Sequence, residues 1–116
     1  GAAGVSGGIT SVTGNTTFGN SGGFNVETGA AMHGAAGSVS VSVGVGDSGD
    51  AGDVLVVAGE TTESGSAGGM VSISGGLGTH GSGGSLVFVS GEANGSSEND
   101  VGGDVMMSAG ASASSY

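Results

Sequence analysis

The chain has 116 residues, 30 of them glycine, with 10 acidic residues, no lysine or arginine, and a formal net charge of −10. Aromatic residues make up only 3%, so side-chain volume for a compact core is scarce. Without lysine or arginine the chain has no fixed cation to neutralise phosphate, which strongly disfavours nucleic-acid binding and attraction to anionic lipid. Cysteine is absent, so neither disulfides nor thiolate zinc clusters can hold a fold.

One phrase recurs along the chain: a small residue and Gly, a short alternating stretch, then another small residue and Gly. Segment one, 7–15 (GGITSVTGN), carries Thr10 and Val12 at a spacing of two, followed by Asn15-Thr16-Thr17. Segment two, 22–29 (GGFNVETG), carries Phe24 and Val26, with His33 in the loop behind it. Segment three, 36–44 (AGSVSVSVG), carries Val39 and Val41 and leads into the acidic loop of Asp47, Asp50 and Asp53. Segment four, 51–59 (AGDVLVVAG), carries Val54 and Val56 and is followed by Glu60 and Glu63. Segment five, 68–76 (GGMVSISGG), carries Val71 and Ile73, with His80 behind it. Segment six, 83–91 (GGSLVFVSG), carries Leu86 and Phe88 before the longest loop, which holds Glu92, Asn94, Glu98 and Asp100. Segment seven, 102–110 (GGDVMMSAG), carries Asp104, Val105 and Met107.

The second residues of these phrases, Gly8, Gly23, Gly37, Gly52, Gly69, Gly84 and Gly103, lie 15, 14, 15, 17, 15 and 19 apart. A spacing of two puts each apolar pair on one face of an extended stretch, and the β-branched residues that dominate the set suit a half-buried pleated surface. Gly, Ser, Asp, Asn and Thr between the phrases read as turns. Disorder is the usual reading of Gly/Ser-rich sequence; the regular apolar pairs and a mean hydropathy of +0.25 argue for order.

The expected fold is therefore all-β: a parallel β-solenoid of about seven rungs of 14–19 residues. Each segment would stack on its predecessor at about 4.8 Å. Its core ladder would be Val12, Phe24, Val26, Val39, Val41, Val54, Val56, Val71, Ile73, Leu86, Phe88, Val105 and Met107. The alternative is an antiparallel β-sandwich or meander. The whole of 1–116 is expected to be one repeat domain, a segment of a longer repetitive protein. Leu55, Val57, Val87, Val89 and Met106 on the opposite face imply a second covered surface, from another chain or another sheet.

Asp47, Asp50 and Asp53 in a Gly-rich loop are candidate calcium ligands, because hard cations take carboxylate oxygens. Their spacing matches neither the EF-hand loop nor the nonapeptide β-roll, and solvated turn residues are the competing reading. Calcium is the one candidate cofactor. Asn15-Thr16-Thr17 and Asn94-Gly95-Ser96 are sequons, which makes Asn15 and Asn94 candidate N-glycosylation sites in predicted loops. His33 and His80 lack the partners that metal binding or general-base catalysis needs. No G-x-S-x-G stands at a strand-to-helix elbow, and the Gly-rich runs lack the lysine of a phosphate loop. No catalytic residue is assigned, and an enzyme is not expected.

The phrases AGSVSVSVG, GGMVSISGG and GGSLVFVSG resemble the Gly/Ser/Val-rich tandem tracts of large secreted or cell-surface proteins, such as those of diatoms and related algae, over nearly the whole chain. That resemblance implies an extracellular or cell-surface, glycosylated, fibre- or matrix-forming role, with no catalytic residues to carry over. The expected partners are other copies of the chain, in a filament or lateral assembly built by β-strand stacking, and glycans. Nucleic acid is not expected as a partner, and no apolar run nears the roughly 20 residues of a membrane span. An adhesin-like or carbohydrate-contacting solenoid is the alternative, for which Phe18, Phe24, Phe88 and Tyr116 are the only aromatics.

Overall fold

Glycine at 30 of 116 positions leaves the backbone free to turn almost anywhere, and each glycine held in one conformation costs more entropy than any other residue. The computed structural model, which describes residues 4–112, reflects that balance. Among the described residues there is neither helix nor strand. What persists is a series of tight bends, at 17–19, 32–34, 47–49, 63–65, 79–81 and 96–99, one in each loop between consecutive segments. The repeat is thus written in the backbone as a bend every 15 to 17 residues.

Several bends turn on a residue with positive φ: Gly19 at 93°, His33 at 64°, Gly49 at 78° and Gly65 at 81°. At Gly65 the absence of Cβ removes the clash that makes this region costly for other residues. His33 takes the same kind of seat with a side chain, and histidine is among the residues enriched there.

Two units divide the chain, Gly1–Val54 and Leu55–Tyr116, and each is described by itself. In the first, the end of one segment meets the start of the next through side chains. The Thr28 Oγ1 hydroxyl donates to the Gly37 carbonyl at 3.2 Å. A Cβ on Gly22 would lie 3.9 Å from Thr13 Cβ, and one on Gly52 would lie 3.1 Å from Val43 Cγ1. In the second unit the same junctions are closed by backbone. Gly69 N–H donates to Gly59 O, Gly84 N–H to Gly76 O and Gly103 N–H to Gly91 O, each at 2.9 Å.

These contacts overturn the expected β-solenoid of about seven rungs, and equally the antiparallel sandwich or meander. Stacked rungs need contacts between residues one repeat apart, 14–19 positions, with hydrogen bonds running the length of each segment. The junctions instead join residues 8 to 12 apart, through side chains in the first unit and through a single backbone bond each in the second, such as Gly76 with Gly84 and Gly91 with Gly103.

The core ladder is overturned with the fold. No described residue is buried, and Val12, Phe24, Val26, Val39, Val41, Val54, Val56, Val71, Ile73, Leu86, Phe88, Val105 and Met107 are all exposed, from 48% at Leu86 to 87% at Met107. Two apolar side chains per repeat, with glycine and serine supplying most of the rest, offer too little burial to offset ordering so many glycines. The alternation nevertheless leaves a trace: Leu86 (48%) and Phe88 (61%) are less exposed than their neighbours Val87 (72%) and Val89 (81%).

Candidate functional site

The acidic loop after segment three begins its bend at Asp47, turns through Gly49 and runs on without regular structure past Asp50 to Asp53. Among the described residues, no group of three or more His, Asp or Glu side chains comes together as a metal site. The structure therefore does not assemble Asp47, Asp50 and Asp53 into a calcium cage. All three residues are exposed, whereas six to eight oxygens must converge to replace the water of that cation.

In the longest loop one acid, Asp100, serves the backbone. Asp100 Oδ2 accepts from Ser97 N–H at 2.9 Å, and Asp100 N–H donates back to Ser97 O at 3.1 Å. Ser97 Oγ accepts from Asn99 N–H at 3.3 Å. The result is a self-closed turn of the kind short polar side chains build when they compete with regular structure for backbone partners. Asp100 lies so close over Gly95 that a Cβ there would overlap its carboxylate, which explains glycine at the centre of the second sequon. A weaker version occurs at 61–66, where Thr61 Oγ1 accepts from Glu63 N–H and Ser66 N–H donates to Glu63 O, both at 3.2 Å.

Both sequons fall at one place relative to the bends. Asn15 stands two residues ahead of the bend 17–19 and Asn94 two ahead of 96–99, so Thr17 and Ser96 are each the first residue of a bend. Asn15, Thr17, Asn94 and Ser96 are exposed. The hydroxyls beside them are engaged: Thr16 Oγ1 donates to Phe18 O at 2.7 Å, and Ser97 Oγ caps Asn99.

His33 and His80 are each the central residue of a bend, 32–34 and 79–81, and both are exposed. No pocket forms. Phe18 (95% exposed), Phe24 and Phe88 all lie open, while Tyr116 lies outside the described residues. No helix is long and apolar enough to cross a membrane among the described residues.

Residues that pattern reading passed over are those just before the closing glycine of each segment: Thr13, Thr28, Val43, Ala58, Gly75 and Ser90. They decide how each junction closes, and their recurrence at intervals of 15, 15, 15, 17 and 15 residues was the available signal. The Ser97-x-x-Asp100 spacing likewise announces a side chain reaching back to a backbone N–H. No family model matches this chain, and neither does any curated protein or solved structure.

Proposed function

We propose that the chain is a structural repeat module of an extracellular fibre, filament or cell-surface matrix, associating with further copies of itself. The observation that supports this most is periodicity without a site: bends recur from 17–19 to 96–99, while no pocket and no cluster of ligating side chains among the described residues marks one place as special. A molecule that offers the same short surface again and again suits multivalent contact, in which many weak contacts add up.

The contact is apolar. Leu55, Val57, Val87 and Val89 are 72–84% exposed, uncharged and β-branched or aliphatic, and so are equally suited to a second copy. The net charge of −10 opposes that contact, so association strengthens as salt screens the repulsion.

Two measurements test the reading. Imaging of native material by negative stain, with antibody labelling, is expected to show filaments or matrix outside the cell; discrete monomers inside the cell overturn it. Sedimentation of the purified chain is expected to show larger species at about 1 M salt, where the Debye length falls to about 3 Å, than at about 0.01 M. A single monomeric species at both salt levels removes self-association.

A further inference from the structure

Two of the six bends differ from the rest in what precedes them. The bends at 32–34, 47–49, 63–65 and 79–81 open on Met32, Asp47, Glu63 and Thr79 and have Ala30, Val45, Thr61 and Leu77 two residues earlier. The first and last bends open on a hydroxyl residue, Thr17 or Ser96, with asparagine two residues earlier. The same arrangement thus occurs at the first and last of the six bends and at none between them.

We infer that Asn15 and Asn94 are a matched pair of N-glycan acceptors, one two residues ahead of each of these two bends. An enzyme that modifies a sequon needs the asparagine amide and the hydroxyl two residues on to be reachable together, on a surface segment able to enter its cleft. Here both asparagines and both hydroxyl residues are exposed. The neighbouring hydroxyls of Thr16 and Ser97 take up the local hydrogen bonds, leaving Thr17 and Ser96 to be read by the transferase. Asp100 does not compete for Ser96, because its Oδ2 is held on Ser97 N–H.

In the transfer, the Asn Nδ2 attacks the anomeric carbon of an oligosaccharide activated as a polyprenyl pyrophosphate ester. The N–C bond forms as the anomeric C–O bond breaks. The lipid pyrophosphate leaves with the electron pair, and the amide loses one proton. Asn20 and Asn25 are built-in controls: both are exposed, but Gly22 and Glu27 stand where the hydroxyl is required.

The inference rests on the reading of an exported protein, since the activated donor is met on the secretory route. The test is intact mass of the 116-residue chain secreted from a eukaryotic cell line behind a removable leader, before and after peptide N-glycosidase. Two glycan masses are expected, with Asn15 and Asn94 converted to aspartate on release. Asn15→Gln and Thr17→Ala should each lose one glycan, as should Asn94→Gln and Ser96→Ala, whereas Thr17→Ser and Ser96→Thr keep both. Bare asparagines, a glycan on only one of the two, or modification of Asn20 or Asn25 overturns the assignment. Native matrix protein with bare asparagines overturns this inference alone. Recombinant protein glycosylated at both sites, with native protein confined inside the cell, overturns the proposed function and leaves the acceptor assignment standing.

Discussion

The two units solve the same local problem, joining the end of one segment to the start of the next, with different groups. In Gly1–Val54 the residue before the closing glycine is bulky and β-branched, Thr13, Thr28 or Val43, and its side chain fills the junction, as Val43 Cγ1 does against Gly52. In Leu55–Tyr116 the equivalent residue is Ala58, Gly75 or Ser90, and the backbones approach to 2.9 Å and share a hydrogen bond. Ala58 and Ser90 are also two of the three described residues that escape full exposure, with Gly78. One to three heavy atoms at one position per repeat therefore decide whether a junction is closed by a side chain or by the main chain.

The sharpest way to break that contrast is at Gly75, where a Cβ would run into the Gly84 carbonyl. Gly75→Val is expected to abolish the Gly84-to-Gly76 bond, and amide exchange at Gly84 should rise to the rate of an unprotected glycine while Gly69 and Gly103 are unchanged. Retained protection at Gly84 rejects the steric account.

A graded effect is expected at Ala58, whose Cβ would sit 3.3 Å from a Cβ on Gly69. An exposed backbone bond contributes about 0.5–1.5 kcal/mol, so Ala58→Val should speed exchange at Gly69 by roughly threefold to tenfold. Val43→Ala is the reciprocal experiment and should create new protection at the junction with Gly52. Should Ala58→Val leave Gly69 untouched, residue size is not what separates the units.

The smallest effect concerns the bends. Gly65 and His33 occupy similar positive-φ seats, at 81° and 64°, yet only His33 carries the Cβ that costs about 1–2 kcal/mol there in most L-residues. His33→Gly should sharpen the first unit's bend, seen as narrower amide resonances and slower exchange around 32–34. Gly65→Ala should loosen the bend at 63–65. Identical spectra for both variants would mean that backbone strain plays no part.

Much of the local organisation was legible. The seven phrases, the loops between them and the placement of Asn15 and Asn94 ahead of turns follow from glycine spacing and sequon pattern, and a bend falls in each of the six loops. The alternation even anticipated the sense of the exposure difference between Leu86 and Val87. The step from alternation to sheet failed, because periodicity reports which face a side chain takes and says nothing about whether enough area lies behind that face to hold it. The acidic residues show a related limit, since no group of three or more ligating side chains comes together among the described residues. Asp47, Asp50 and Asp53 stand close together in the sequence, yet closeness in sequence does not make carboxylates converge.

The sequence alone determined the repeat length, the acidic and cation-free surface, the scarcity of core volume and the chemical character of each loop, since these depend only on which residues stand where. Tertiary structure alone decided that the apolar faces remain open and that each segment meets the next at its ends and not along its length. It also decided that Asp100 closes a turn over Gly95 and Ser97. Those outcomes depend on a balance between burial and the entropy of many glycines, which no single position carries.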